Sequence, residues 1–257
     1  MTAKRTMLEG NKLSIAFNGL KAVDDMTLHL HEGELLGLIG PNGAGKTTMF
    51  NMLAGALKPD DGSIVVSGQD VTNERVDKRI RRGVGRTFQI PRPFAEMTVL
   101  ENVLSGNQKQ SGENMFHTLF SPRRVAREER EACDKAMELL EFVLLDKLAH
   151  EPARILSGGQ RKLLELARVL MSDPDVILLD EPAAGVNPSL LEVIIERIQT
   201  LNSRGKTILL IEHNMDMVAR LCSRVVVMAS GQELAQGSAG EVVVNPRVIQ
   251  AYLGETA

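Results

Sequence analysis

Gly40-Pro41-Asn42-Gly43-Ala44-Gly45-Lys46-Thr47 matches the phosphate-cradling pattern G-x-x-x-x-G-K-[ST] at every fixed position. Glycines at 40, 43 and 45 let the backbone turn tightly and aim several N–H groups at one anion. A helix beginning near Lys46 adds the positive end of its dipole to the same point. Lys46 supplies a point charge for β- and γ-phosphates, and Thr47 a hydroxyl for Mg²⁺, a hard ion that keeps several waters and takes few protein ligands. Pro41, Asn42 and Ala44 occupy the variable positions and Thr48 follows in the first helical turn, which completes the candidate phosphate-binding set. Upstream, Leu35-Leu36-Gly37-Leu38-Ile39 reads as a buried strand, so the loop lies between strand and helix as the motif requires. The expected ligand is a nucleoside triphosphate.

Outward from that loop, short apolar runs precede helical periodicities at Val176 to Leu179, Thr207 to Ile211 and Val225 to Met228. This is the pattern of a parallel sheet covered by helices on both faces. Leu13 to Leu30 and Ser63 to Ser67 alternate apolar with polar residues, which predicts a small antiparallel sheet flanking the nucleotide end. Between about Val99 and Arg168 the strand signal disappears, and Ala132, Ala136, Leu139, Leu140 and Val143 recur at helical spacing. Within that section Gly106 to Arg124 is polar and reads as an irregular or partly mobile insertion. The expected fold is therefore α/β: a P-loop NTPase with a mainly parallel core, a small antiparallel β subdomain and an inserted helical subdomain. The expected boundaries are 1–98 for the first part of the core, 99–168 for the helical insertion, 169–232 for the second part and 233–257 for a tail, all one domain.

A chain of 257 residues with 43% hydrophobic content can bury a full core without staples. Its two cysteines, Cys133 and Cys222, lie far apart with no partner at ligand spacing, so neither a disulfide framework nor a zinc site is suggested, and a reducing, cytoplasmic setting fits. No stretch approaches the roughly 18 apolar residues that span a bilayer, so any membrane role is expected to be peripheral. A net charge of −3 argues against a general nucleic-acid surface, and no nucleic-acid partner is expected. The locally basic run from Arg79 to Arg86 reads as a solvated or phosphate-adjacent face.

Two further constellations carry chemistry. Val176-Ile177-Leu178-Leu179-Asp180-Glu181 ends a buried strand in two carboxylates, at the sheet edge where open α/β folds bind ligands. Asp180 can hold Mg²⁺ there, while Glu181 reaches the water that attacks the γ-phosphorus. Ser157-Gly158-Gly159-Gln160 opens a helix striped by Leu163, Leu166, Ala167 and Leu170. Two readings of it stand side by side: a capping box in which Ser157 and Gln160 exchange bonds, and a second anion site on the exposed N–H groups of two glycines.

Together these residues resemble the ABC-transporter ATPase family over nearly the whole chain. Leu156-Ser157-Gly158-Gly159-Gln160 is similar to the family signature, and its order relative to the phosphate loop and Leu179-Asp180-Glu181 also agrees. The resemblance implies ATP with Mg²⁺, and two nucleotide domains paired head to tail, with Ser157, Gly158, Gly159 and Gln160 acting across the interface. Gln89, in Thr87-Phe88-Gln89, matches the glutamine loop that touches Mg²⁺ or the attacking water. His213, after Ile211-Glu212, matches the switch histidine near the γ-phosphate. Phe17 lies where the family stacks an aromatic ring on adenine, although a ring on an alternating strand also packs. Gly185 and Asn187, in Ala184-Gly185-Val186-Asn187, fall at the expected dimer interface. Asn187 departs from the commoner Asp and cannot carry its charge.

A finer resemblance is to the ATPases of branched-chain (hydrophobic) amino acid importers. It rests on Arg86-Thr87-Phe88-Gln89, Glu181-Pro182-Ala183-Ala184-Gly185-Val186-Asn187-Pro188, Glu212-His213-Asn214-Met215 and the tail from Asn245-Pro246 to Ala251-Tyr252-Leu253-Gly254. Relatives serving urea and short amides, and those extracting lipopolysaccharide, share much of that tail. What the resemblance implies is a peripheral ATPase on the cytoplasmic face of the inner membrane. Its partners would be two membrane-spanning permeases, a second ATPase (a copy or a sister) and, through the complex, an extracytoplasmic solute-binding protein. Phe88, Pro91, Pro93 and Phe94 are apolar residues beside Gln89, consistent with a docking patch for the permease. An exporter ATPase would share the phosphate chemistry, and a soluble ABC-type ATPase usually carries two units or a long coiled coil, neither of which is seen here.

Overall fold

The computed structural model describes residues 5–108 and 122–253. It divides into two compact units: Met1–Arg86, Pro174–Ala184 and Ile198–Ala257 form the first, Thr87–Asp173 and Gly185–Arg197 the second.

The first unit holds both sheets. Strands β1 (Thr6–Phe17) and β2 (Leu20–His31) form a hairpin closed at Asn18-Gly19, both left-handed as a two-residue turn of this kind requires. With β4 (Asp61–Val66) and β5 (Gln69–Asp70) they make the antiparallel sheet, in the order β2-β1-β4-β5. The second sheet runs β10-β9-β3-β8-β7-β6, from β3 (Leu35–Ile39), β6 (Val84–Arg86), β7 (Val176–Asp180), β8 (Thr207–Ile211), β9 (Arg224–Ala229) and β10 (Gln232–Gly237). It is parallel except for the edge strand β10, which pairs antiparallel with β9. Every residue of β3, β7 and β8 is buried, which is why each reads as a continuous apolar run rather than an alternation.

Helix α1 (Lys46–Ala54) buries Met49, Phe50, Met52 and Leu53 in a core shared with Leu8, Leu13, Leu36 and Leu178. A smaller core on Ile39, Val225 and Val227 takes Val218, Val242 and Val248, from helices at Met215–Leu221, Ala239–Val243 and Pro246–Leu253. Helix α2 (Val76–Arg81) carries a correction: Arg79 does not lie on a solvated face. It is 1% exposed, and its guanidinium donates to the carbonyls of Met52 (2.6 Å), Leu53 (2.8 Å), Val71 (2.9 Å) and Glu74 (3.1 Å). Two of those carbonyls belong to the last turn of α1, whose partial negative charge a buried cation complements. Burial pushes the Arg79 pKa down to about 10, which leaves it charged at neutral pH. Arg82 pairs with Glu74, and Arg86 lies over the Phe50 ring at 4.9 Å.

The second unit is helical, as the loss of strand signal predicted. Helix α3 (Val99–Leu104) packs on α4 (Pro122–Phe142) and α5 (Gly158–Met171), with Val99, Val103, Ala136, Leu140, Leu163, Leu166 and Leu170 buried. Of the expected irregular insertion, 109–121 lies outside the described residues. Its end is corrected: Pro122 to Arg124 is helix, with proline at the start, where its fixed φ suits a first turn. Helix α6 (Pro188–Ser203) begins in this unit and ends in the first.

Candidate functional site

Parallel strands β3, β8 and β7 are neighbours in register, so their carboxyl ends deliver the phosphate loop, Glu212-His213 and Asp180-Glu181 to one sheet edge. In the loop, Gly40 (φ 147°) and Gly45 (φ 96°) are needed as glycines: a Cβ would stand 2.1 Å from the Met228 carbonyl at the first and 2.3 Å from that of Ala22 at the second. Gly45 is also the N-cap of α1, so the N-terminal N–H groups of the helix follow directly on the loop. Lys46 is buried, its Nζ donating to the carbonyls of Gly40 (2.6 Å) and Pro41 (2.7 Å). The ammonium is thus held within the turn of its own loop. Asn42, Gly43 and Thr47 are exposed, Thr48 is half-buried, and Pro41 and Ala44 are buried beneath them.

Asp180 ends β7 at 4% exposure. Glu181 leaves the strand in a left-handed conformation, φ 46°, with its N–H on the Ile211 carbonyl (2.9 Å). Its Oε1 lies 3.0 Å from His213 Nε2, within ion-pair distance. A carboxylate and an imidazole in direct contact can share the handling of one proton. The Thr47 hydroxyl and the Asp180 carboxylate are oxygen donors of the type Mg²⁺ takes, so this chemistry fits that ion. Phe17 is 46% exposed at the end of β1, its ring presented rather than packed.

In the second unit, Ser157 caps α5 with Oγ on the Gln160 N–H (3.3 Å) while the Gln160 Oε1 accepts from the Ser157 N–H (2.9 Å). The capping box therefore exists. Gly158 faces open space, whereas a Cβ on buried Gly159 would stand 2.2 Å from Leu190 Cδ2, so the signature turn packs tightly on α6. Gly185 is left-handed and exposed, and Asn187 Oδ1 accepts from the Leu190 N–H (2.9 Å) and the Ser189 hydroxyl (2.8 Å), capping α6. Gln89 is exposed, flanked by Phe88 and Ile90 at 58% and 69% exposure. Phe94 is a further exposed apolar residue of this unit, at 52% exposure.

A family model described as ABC transporter matches residues 23–184. The chain belongs to the ABC transporter family. Within that family it is an ATP-binding subunit that hydrolyses ATP in the service of a transporter. A second model, described as branched-chain amino acid ATP-binding cassette transporter, matches residues 232–257 of this ABC ATPase. A probable branched-chain amino acid transport ATP-binding protein LivG of Archaeoglobus fulgidus is 41% identical over 96% of this chain and 95% of its own length. The high-affinity LivG of Escherichia coli (strain K12) is 42% identical over 97% and 98%. A solved ATP-binding cassette of an ABC transporter in its ADP conformation superposes with a TM-score of 0.84 at 38% identity, covering 97% of this chain and 99% of that one.

One residue of the ABC ATPase's first unit escaped sequence reasoning. Glu212, 3% exposed, accepts from the N–H groups of Ala183 (2.6 Å), His213 (3.0 Å) and Asn214 (3.2 Å). It ties the chain just after Glu181 to the chain that carries His213. Its signal was present: a carboxylate closing an apolar strand has to be satisfied locally once buried.

Proposed function

We propose that this ABC ATPase energises the uptake of branched-chain amino acids through partner permeases, as a peripheral subunit on the cytoplasmic face of the membrane. The observation that carries the reading is the match of residues 232–257 to the branched-chain cassette model, beyond the part matched by the general one. Among the described residues no helix is long and apolar enough to cross a membrane.

In this proposal Gly40 to Thr48 bind the triphosphate, with Lys46 on the β- and γ-phosphates and Phe17 stacked on adenine. Thr47, Asp180 and Gln89 would hold Mg²⁺, which would supply charge neutralisation on the phosphates. Water attacks the γ-phosphorus, the bond to the bridging oxygen breaks, and ADP and phosphate leave. Glu181 takes the proton of that water, and His213 orients it and the γ-phosphate. Positioning and fixed charge do most of the work, because phosphoryl transfer asks little covalent chemistry of a protein. Ser157, Gly158, Gly159 and Gln160, with Gly185 and Asn187, face a second ATPase across a nucleotide-sandwiching dimer. Phe88 and Phe94 receive the permease, and an extracytoplasmic binding protein delivers the solute.

The test is to tag the chain in its native cell, hold the closed state with Glu181→Gln and ATP, and identify what purifies with it. Two permeases and a second short ATPase whose deletion abolishes leucine uptake support the proposal; an exporter's permease, or ribosomes, would overturn it. Purified Glu181→Gln should bind ATP normally while hydrolysis falls on the order of a hundredfold or more.

A further inference from the structure

Residue Glu165 is buried at 6% exposure on α5, the helix that begins at the signature, and one of its carboxylate oxygens accepts from the Phe88 N–H at 2.6 Å. A carboxylate taken this far out of water is held in place by hydrogen bonds to it, and a charge-assisted bond of this length is among the strong ones. Its donor is the peptide next to Gln89. The other end of the same loop is fastened too. Asn102 on α3 accepts from the Phe94 N–H (2.8 Å) and donates to the Phe94 carbonyl (3.0 Å). Arg168, one turn beyond Glu165, lies over the Phe94 ring at 5.3 Å. Burial pushes the Arg168 pKa down, and the Glu165 charge offsets part of that shift. The exposed residues Phe88 and Phe94 are thus anchored by buried Glu165 and half-buried Arg168 on α5 and by buried Asn102 on α3.

We propose that Glu165 is a positioning residue that joins the glutamine loop to the signature helix, so that load on the Phe88–Phe94 patch moves Gln89 and Ser157-Gly158-Gly159 together. The inference rests on the proposed role of Gln89. From Glu165 to Gly158 along the helix is seven residues, about 10 Å of rigid rod. A displacement of the Phe88 peptide reaches Gln89 through a single residue and reaches the signature through that rod. In this role Glu165 acts through the Phe88 peptide and not on the nucleotide.

The test compares purified full chains carrying Glu165→Ala, Glu165→Gln, Gln89→Ala and the double variant Gln89→Ala/Glu165→Ala, with rates normalised to the ATP-binding-competent fraction. Glu165→Ala should lower kcat about tenfold or more, leave the KM for ATP within about twofold, and raise the Mg²⁺ concentration needed for half-maximal rate. Glu165→Gln keeps an acceptor oxygen for the Phe88 N–H and should stay within about threefold of the parent chain. On the Gln89→Ala background the alanine at 165 should cost less than about twofold more, because both act on one group. Wild-type kcat in Glu165→Ala, full additivity in the double variant, or Glu165→Gln as slow as alanine would overturn the proposal while leaving Gln89 in place. An unimpaired Gln89→Ala would remove the role of Gln89, and this inference with it. If Glu165→Ala does not fold, Glu165→Asp keeps the charge and shortens the arm; the same loss is expected from it, and wild-type kcat would count against the proposal.

Discussion

Glu212→Gln should loosen the catalytic edge without removing any group proposed to touch ATP. The carboxylate uses both oxygens, Oε1 for the Ala183 N–H and Oε2 for those of His213 and Asn214. An amide keeps one acceptor and turns a donor toward the remaining N–H groups. Whichever way it sits, one or two bonds to a charged acceptor are lost and half-buried N–H groups are left unmatched, a cost of about 2–4 kcal/mol. Relief of carboxylate desolvation offsets part of this, but the backbone groups cannot leave the site. For a chain of this size each kcal/mol lowers Tm by roughly 2–4 °C, so thermal unfolding followed by circular dichroism should show a drop of about 5–15 °C. Because the same bonds fix the segments carrying Glu181 and His213, kcat should fall about tenfold with little change in ATP affinity. A Tm within about 2 °C of the parent and an unchanged kcat would refute the assignment of Glu212 as the tie between the two strand ends.

Other expectations are more direct. Lys46→Ala should lose nucleotide affinity, read by fluorescence titration; retained affinity would contradict the phosphate-loop assignment. Arg79→Met removes the donors from three buried carbonyls and the half-buried one of Glu74 while conserving much of the apolar stem, and should destabilise the chain by about 3–5 kcal/mol in chemical denaturation; a loss below about 1 kcal/mol would show those carbonyls satisfied in another way. Glu34 is pushed up by burial, but its bonds to Arg224 and the His31 N–H more than offset this and hold it below the usual carboxylate range. A depressed carboxylate stabilises above its unfolded pKa and ceases to as pH falls through its folded one. Glu34→Gln should therefore be less stable than the parent at pH 7, with the gap closing below about pH 4; a gap that persists at pH 2 would show it is not electrostatic.

The parts of the fold legible in the sequence were those where one physical demand dominates. Leu35–Ile39, Val176–Asp180 and Thr207–Ile211 are buried on both faces, and runs dominated by Leu, Ile and Val answer that demand. The phosphate loop was legible in part because Gly40 and Gly45 answer to backbone clashes rather than side-chain chemistry. Strand β10 was not, since Gln232–Gly237 at a sheet edge mixes exposed with half-buried residues and presents no apolar run. Arg79 was misread because a run of arginines says nothing about carbonyls waiting at the end of a distant helix. Glu165 and Glu212 were invisible for a related reason: a carboxylate on a helix stripe or after a strand looks solvated until its backbone donors are known.

The left-handed φ of 46° at Glu181 sets this protein against its own durability. A glutamate there, followed by Pro182, holds a conformation that costs a side-chain-bearing residue about 1–2 kcal/mol and that glycine adopts freely. Laboratory selection for heat resistance alone would be expected to recover glycine or asparagine at 181, and the hardier protein so obtained would have given up the proposed base. Only selection that also demands turnover would keep the glutamate where the backbone least favours it.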